Sequence, residues 1–159
     1  MTALNDVHAI LELERFLPYR LSVLSNRVSQ NIADLYAARF GLGITEWRVM
    51  AVLVRQPGLS ANTVAERTAM DKVAVSRAVA RLQERGLLAR DTHGADRRRS
   101  VLELSDAGYR IYDEVAPLAL ARERALLAHF TAEDMLQLEN VLAKLQRGLE
   151  DVADAPTTG

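Results

Sequence analysis

Residues 58–108 read GLSANTVAERTAMDKVAVSRAVARLQERGLLARDTHGADRRRSVLELSDAG, and the order of apolar and polar residues in them predicts most of the architecture. Apolar residues first recur at helical intervals, which predicts a short helix over 60–68 and a longer one over 71–85, joined by the tight corner AMD. The segments LLARD and SVLEL then predict two short strands on either side of an arginine-bearing turn. We therefore expect a helix–turn–helix followed by a β-hairpin.

Each of the two predicted helices has an apolar side and a polar side. In the first helix Val64 and Ala65 are expected to face inward, and Ser60 is placed to cap its N-terminus. The second helix is expected to bury Val75, Ala78, Val79 and Leu82. Its polar side carries Lys72, Ser76, Arg77 and Arg81. The second helix is therefore expected to present a cationic surface away from the core.

Two further helices are predicted before this stretch. The first covers about 18–40, and because Leu17 precedes Pro18, residues 7–16 are expected to form a separate or kinked first turn. Its apolar stripe consists of Leu21, Leu24, Val28, Ile32 and Leu35. Thr45 is expected to cap the next helix. The residues expected on the inner side of that helix are Trp47, Met50, Ala51 and Val54.

Two long helices are predicted after the hairpin. Ser105 is expected to cap the first, which reaches about residue 129 and contains a kink at Pro117. Thr131 and Asp134 have a spacing that resembles a capping box for the second. The last helix has an apolar seam with a 3,4,3,4 rhythm, formed by Met135, Leu138, Leu142, Leu145 and Leu149. Such a seam needs a facing helix, either from a second copy of the chain or, alternatively, from the same subunit.

The net charge is −1 at pH 7, but the charges are unevenly distributed. Residues 55–100 contain ten Lys or Arg against five Asp or Glu, so the middle third is expected to form a basic face. The sequence has no cysteine, which excludes disulfides, thiolate metal sites and thiol redox switches. No apolar run is long enough for a membrane span and no secretory signal is visible, so we expect a cytoplasmic protein that does not interact with membranes.

No set of residues has the spacing of a catalytic or metal site. His8, His93 and His129 are too widely scattered for a common metal-ligand motif, and the sequence contains no glycine-rich phosphate-binding loop and no nucleophile-elbow motif. The acidic pairs 113–114 and 133–134 lie on predicted helices, where adjacent side chains do not face each other. We therefore expect no catalysis, no metal site and no cofactor.

The second helix of the helix–turn–helix predicts DNA binding. In such motifs the first helix supports the second, whose N-terminal residues point into the major groove. The side chains expected to face the groove are Lys72, Ala74, Ser76 and Arg77, since small residues allow a close approach and the polar ones can hydrogen-bond to base edges. Ser60 and Thr63 are expected to contact phosphates. An ordinary amphipathic helix with a charged outer side is the alternative.

The predicted hairpin turn carries Arg97, Arg98 and Arg99 beside Asp96. An arginine on a narrow loop can enter the minor groove, where the negative potential is high, and Arg98 is expected in that role. Arg97 and Arg99 are expected to contact phosphates or to pair with Asp96, whose carboxylate would orient an arginine. A solvated charged turn is the alternative.

The whole stretch resembles the winged helix–turn–helix of the MarR family of bacterial transcription regulators. The family's wing pattern is Asp-x-Arg, a strand ending in Leu-Thr or Leu-Ser, and then x-x-Gly; Asp96, Arg98, Leu104, Ser105 and Gly108 match it. RLQERGLL also matches, and the resemblance covers about residues 18–150. It implies a mainly α (α+β) fold with a winged helix–turn–helix over 44–104 and helical dimerisation segments over 1–40 and 105–152. Residues 153–159 are expected to form a disordered tail.

The resemblance also implies a function. Family members form triangular homodimers, whose interlocked terminal helices hold two recognition helices in successive major grooves of an inverted-repeat operator. The chain is therefore expected to bind double-stranded DNA as a homodimer and to act as a ligand-responsive repressor. An architectural DNA-binding protein without a ligand response is the alternative. A small-molecule-binding or enzymatic protein without DNA function is a third hypothesis.

Members of this family commonly bind small aromatic carboxylates or phenols between the first two helices and the long helix after the wing. The matching positions here are Tyr19, Arg20, Ser25, Trp47 and Arg48. An arginine can pair with a carboxylate, and Trp47 can stack on a ring. The alternatives are that Trp47 belongs to the core and that Arg20 or Arg48 forms an ion pair between subunits. The family's peroxide-sensing branch uses cysteine, so the lack of cysteine excludes that mechanism.

Overall fold

The computed structural model describes residues 10–92 and 100–154, and most of these residues are helical. A 3-10 turn at Leu13–Arg15 comes first. The further elements are α1 (Leu17–Phe40), α2 (Ile44–Arg55), α3 (Ala61–Thr68), α4 (Lys72–Glu84), β1 (Leu88–Thr92), β2 (Ser100–Leu104), α5 (Asp106–Leu126) and α6 (Ala132–Asp154). The chain divides into two compact units, with the boundary after Ala119, inside α5. The predicted fold class, a mainly helical winged helix–turn–helix, is confirmed.

Helix α1 and the turn before it are separate elements. Phe16, between them, is the N-cap of α1 and has an extended backbone (φ −77°, ψ 112°), whereas Leu17, directly before Pro18, is already the first residue of the helix. Pro18 lies in the first helical turn, where a backbone N–H would have no intrahelical partner. At the other end Gly41 adopts φ 62°, and its N–H donates to the carbonyl oxygen of Ala37. The predicted end of this helix at residue 40 is therefore confirmed.

The apolar stripe predicted on α1 is only partly covered within one chain. Its C-terminal half packs inward, and the residues buried there are Ala33 and Tyr36. Val28, Ile32 and Leu35 are half-buried. Leu21 and Leu24 are exposed, so the N-terminal half of the stripe presents apolar surface that the described part of the chain leaves uncovered.

Helix α2 starts at Ile44, and the prediction that Thr45 caps it is wrong. The N-cap is Gly43, whose N–H donates to Oε2 of Glu46 at 3.1 Å, so the chain does not need the threonine hydroxyl at this end. The buried side of α2 also differs from the predicted one. It consists of Glu46, Val49, Met50 and Leu53. Of the residues predicted to face inward, Met50 is buried and Trp47, Ala51 and Val54 are half-buried.

The core of the first unit lies among α2, α3, α4 and the sheet. The four residues predicted to be buried on α4 are all buried, and so are Val64 and Ala65 of α3. The strands and the segment before them add Leu87, Leu88, Leu102 and Leu104. Burial of one large aliphatic side chain stabilises a fold by about 1.5–3 kcal/mol. This packing therefore fixes which side of α4 faces outward.

The two strands form the predicted antiparallel hairpin. Their register runs from Leu88 opposite Leu104 to Thr92 opposite Ser100. Leu59, just before α3, forms a bridge with Leu102, whose N–H donates to the Leu59 carbonyl oxygen at 2.8 Å. The sheet is thus tied to the start of the helix–turn–helix.

Both C-terminal helices begin at the predicted caps. Ser105 Oγ accepts the Gly108 N–H at 3.1 Å, and Thr131 Oγ1 accepts the Asp134 N–H at 3.1 Å. The Thr131 N–H and hydroxyl both donate to the Asp134 carboxylate and lower its pKa.

Pro117 lies inside α5, which ends at Leu126 rather than near residue 129. Helix α6 continues to Asp154, so residues 153 and 154, predicted to belong to a disordered tail, are helical; the rest of the predicted tail lies outside the described residues.

Candidate nucleic-acid interface

Short-range hydrogen bonds hold α3 and α4 at a defined corner. Ser60 caps α3 by accepting the Thr63 N–H at 3.1 Å, and Asp71 caps α4 by accepting the Ala74 N–H at 2.8 Å. Between the helices Ala69 has φ 50°, in the left-handed region, which reverses the chain within one residue. The two caps and this reversal set the direction in which α4 leaves α3.

The outward side of α4 lies opposite its buried residues. Positions 73, 76, 77 and 80 follow the i, i+3, i+4, i+7 spacing of one helix side, and all four side chains are exposed. We call Lys72, Val73, Ser76, Arg77 and Ala80 the α4 face. Three residues predicted to face the groove, Lys72, Ser76 and Arg77, are therefore brought together on one exposed surface.

The position of Ala74 differs from the prediction, and Val73 was missed. Ala74 is half-buried at the edge of the α4 face, and its N–H is occupied by Asp71. Val73 is 55% exposed and lies at the centre of that face. Helix periodicity identifies Val73 as an outward-facing residue, because it lies on the opposite side of the helix from the midpoint of the buried residues.

A buried carboxylate anchors the other end of α4. The Glu46 side chain is only 7% exposed; its Oε1 lies 2.8 Å from Arg81 Nε and its Oε2 lies 4.0 Å from Arg85 Nη1. Arg85 also donates to the carbonyl oxygens of Phe40 and Gly41 at the end of α1. Helix α4 is thus connected to the α1–α2 junction by charged groups. Sequence reasoning missed Glu46, because a lone acid on a helix is usually solvated.

Ser60 and Thr63, the residues predicted to contact phosphates, are hydrogen-bonded to each other. Their hydroxyl oxygens lie 2.9 Å apart, and Ser60 also holds the cap of α3. Ser60 therefore has a structural role in the chain itself. A phosphate contact by either hydroxyl stays a prediction.

Ser60→Ala is expected to lower the free energy of unfolding by about 1 kcal/mol, because the N-cap hydrogen bond is lost. Ser60→Asp is the matched control, since aspartate caps helices about as well as serine and should retain the stability of the wild type. Urea denaturation compares the three proteins. An alanine variant as stable as the wild type would contradict the stabilising role of the cap.

The four wing residues singled out in the sequence, Asp96, Arg97, Arg98 and Arg99, lie outside the described residues. The paired strands end at Thr92 and Ser100, so these residues belong to the segment that joins the two strand ends. Their roles at the minor groove and the phosphates stay predictions.

A cavity of about 130 Å³ forms a second candidate site, between α1 and α2. It is lined by Ser29, Ile32, Tyr36, Ile44, Trp47 and Arg48. Nη2 of Arg48 donates to Oγ of Ser29 at 3.2 Å. Burial raises the pKa of Tyr36, an effect that the positive charge of Arg48 opposes, so the phenol stays protonated at neutral pH. An apolar cavity of about 150 Å³ holds a benzene molecule, so this volume is on the scale of one aromatic ring.

Trp47 belongs both to this cavity and to an aromatic cluster. Its ring stacks on Tyr112, with centroids 5.2 Å apart and planes 19° apart, and lies 5.7 Å from the ring of Tyr36. It is half-buried and packs against the core. The packing interpretation and the ligand-binding interpretation of Trp47 are therefore compatible.

The structure separates the five residues predicted to bind a ligand. Trp47 and Arg48 line the cavity just described, whereas Tyr19 and Arg20 line a larger concavity of about 420 Å³ near the start of α1. Ser25 lines neither of these two. Within one chain, the five residues do not form a single site.

Across residues 10–92 and 100–154, no three His, Cys, Asp or Glu side chains are grouped so that they could hold a metal ion. Nor does any helix in those two ranges combine the length and the apolar character needed to cross a membrane.

Known proteins resemble this chain over its central part. A family model described as MarR family matches residues 40–99. The HTH-type transcriptional repressor MdtR of Bacillus subtilis (strain 168) is 34% identical over 106 residues, which are 64% of this chain and 66% of MdtR. The alignment therefore spans just under two thirds of that relative.

Solved structures extend the similarity to most of the chain. A MarR/EmrR family transcriptional regulator from Acinetobacter sp. ADP1 has a TM-score of 0.80 and 28% identity, and the match covers 89% of this chain and 99% of that one. The PcaV transcriptional regulator of Streptomyces coelicolor, in complex with its natural ligand, has a TM-score of 0.69 and 28% identity. The match covers 92% of this chain and 100% of the PcaV chain.

Proposed function

This chain belongs to the MarR family of transcription regulators, and we propose that it is a ligand-responsive repressor that binds operator DNA as a homodimer. The main support for the proposal is the exposure of the α4 face. Its polar and cationic side chains project from a helix whose opposite side is packed into the core and whose end is anchored by Glu46. A helix held in this way can enter the major groove as a rigid element.

The α4 face offers groups for phosphates and for bases. Lys72 and Arg77 supply positive charge in the first two turns, and Ser76 and Arg77 can hydrogen-bond to base edges. Contacts between cations and phosphates release counterions, so the affinity is expected to fall steeply with salt. The remaining proposed contacts are Ser60 and Thr63 with phosphates, Arg98 with the minor groove, and Arg97 and Arg99 with phosphates beside Asp96.

Exposed apolar side chains support a homodimer. No residue of α6 is buried within the chain, and Leu142 and Leu149 of its seam are exposed. Helix α1 exposes Leu21 and Leu24 on its own apolar stripe. Exposed apolar side chains in such numbers are unfavourable in water, and we attribute the cover of each helix to a second copy of the chain. Two-fold symmetry would then present two α4 faces to an inverted repeat.

We propose that the effector binds in the cavity lined by Trp47 and Arg48. The guanidinium of Arg48 can pair with a carboxylate, the ring of Trp47 offers an apolar face, and the protonated hydroxyl of Tyr36 is a hydrogen-bond donor. A small aromatic carboxylate or phenol matches these groups and the volume of the cavity.

Helix α2 connects this cavity to α4. Trp47 and Arg48 line the cavity, and the neighbouring Glu46 pairs with Arg81 of α4. An effector that displaces α2 would therefore displace the anchor of α4. It can release DNA only if it binds the two arrangements with unequal affinity.

Arg48→Gln is expected to raise the concentration of aromatic acid that releases DNA by about 10-fold or more, because a hydrogen bond to a charged group is lost. DNA affinity without effector is expected to be unchanged. Benzoate and the hydroxybenzoates, titrated into the DNA complex in a fluorescence anisotropy assay, provide the measurement. Ser25→Ala is the control, and an unchanged response in Arg48→Gln would contradict the placement of the effector.

Selection from a randomised duplex library tests the DNA-binding function itself. The proposal predicts enrichment of an inverted repeat and two chains on each selected duplex. The architectural alternative predicts no enrichment and equal affinity for all duplexes at physiological salt.

A further inference from the structure

We propose that Val73 recognises thymine in the operator, through contact between its methyl groups and the C5-methyl group of the base. This inference rests on the proposed DNA-binding function and deepens it, because it assigns a base to one position of the α4 face. The geometric basis is that Val73 is a large apolar side chain at the centre of a surface whose other members are polar, cationic or, at Ala80, a single methyl group.

Neither helix formation nor core packing explains a valine at this position. Val73 is 55% exposed, and β-branched residues lose side-chain freedom in helices. The N-terminus of α4 is already stabilised by Asp71, and the opposite side of the helix supplies the buried contacts. Isolated apolar residues are common on protein surfaces, and what distinguishes Val73 is the set of polar and cationic residues around it.

Those neighbours are the groups expected to meet DNA. Lys72 precedes Val73, and Ser76 and Arg77 lie one turn further along the same side. Ala80, in the following turn, is exposed and small, so it allows the helix to come close to a surface. If the polar neighbours contact DNA, the side chain of Val73 must contact the floor of the groove between them.

The major groove offers one apolar group, the C5-methyl of thymine. A valine held against it gains contact area that cytosine, which lacks the methyl group, does not provide. Arg77 is a donor suited to O6 and N7 of guanine. We therefore expect a thymine and a guanine close together in each half-site.

The test removes only the methyl group. Duplexes are selected from a randomised library with the wild-type protein, and each thymine is then replaced by deoxyuridine. The wild type is expected to lose about fourfold in affinity per half-site at one thymine position, the effect of exposing one buried methyl group. Val73→Ala is expected to bind the thymine and deoxyuridine duplexes equally, and to fold normally because the side chain is exposed.

Lys72→Ala is the matched control. It is expected to bind both duplexes more weakly and to keep the fourfold difference, since an ammonium group does not sense the methyl group. Equal binding of the wild type to every deoxyuridine duplex, or an unchanged difference in Val73→Ala, would overturn the assignment of Val73 and leave the DNA-binding function intact. A library from which nothing is enriched would instead overturn the proposed function, and this inference with it.

Discussion

Gly108→Ala is expected to lower the free energy of unfolding by about 3 kcal/mol, the cost of forcing a methyl group into filled space. A Cβ atom at this position would clash with the carbonyl oxygen of Leu87 and lie 3.3 Å from Cβ of Leu104. That carbonyl is not free to move, because it accepts the Ser105 N–H at 3.0 Å, and the Ser105 hydroxyl donates to Gly86. The glycine thus allows α5 to start directly against the wing.

The control is Gly148→Ala in α6. Among the described residues, a Cβ atom there meets no atom within 4 Å outside the backbone of its own helix, and alanine favours a helix over glycine by up to about 1 kcal/mol. This variant is expected to be at least as stable as the wild type. Urea denaturation followed by circular dichroism compares the three proteins, and a Gly108→Ala protein of wild-type stability would contradict the close approach of α5 to Leu87.

Arg77→Ala is expected to weaken binding to the selected duplex by about 30-fold or more. Loss of one contact between an arginine and a guanine costs about 1–3 kcal/mol, and a homodimer on an inverted repeat loses two. Arg77 is exposed on the α4 face, so the free energy of unfolding is expected to stay unchanged. Fluorescence anisotropy with the selected duplex measures the affinity.

Arg77→Lys separates charge from base recognition. Lysine keeps the positive charge but lacks the planar fork that binds two acceptors at once. We expect it to restore affinity for random duplexes and only part of the affinity for the selected one. A loss of less than twofold in the affinity of Arg77→Ala for the selected duplex would contradict the role of Arg77 in base recognition.

Local periodicity was sufficient to predict the helix–turn–helix. The buried residues of α3 and α4 were predicted correctly, because each short helix has one apolar side and one core to pack against. The caps at Ser60, Ser105 and Thr131 were also predicted, since a cap depends on residues three positions apart. The proteins that this chain is similar to are described as transcription regulators, which agrees with the prediction that the chain is not an enzyme.

Prediction failed where a partner lay far along the chain. The role of Glu46 depends on Arg81 and Arg85, which meet it only after α4 has folded back onto α2. The same carboxylate also accepts the N–H of Gly43, three residues before it, and Thr45 lies inside α2 rather than at its cap. Nothing within α2 alone predicts the two contacts with the arginines of the α4 end.

The candidate site was predicted by residue type and corrected by geometry. Lys72, Ser76 and Arg77 were identified because they are polar, whereas Val73 was omitted because it is not. The ligand residues were matched by position in the sequence, and the fold distributes Tyr19 and Trp47 to different concavities. In both cases the three-dimensional arrangement of helix sides decides which residues act together.

The central claim is that the α4 face recognises bases and does not merely attach to phosphates. The most direct measurement is the ratio of two dissociation constants of the wild-type protein at physiological salt, for the selected inverted repeat and for a scrambled duplex of the same composition. Specific regulators bind their sites about 1,000-fold or more tightly than other DNA, and we predict a ratio of at least that order. A ratio near one would contradict the claim.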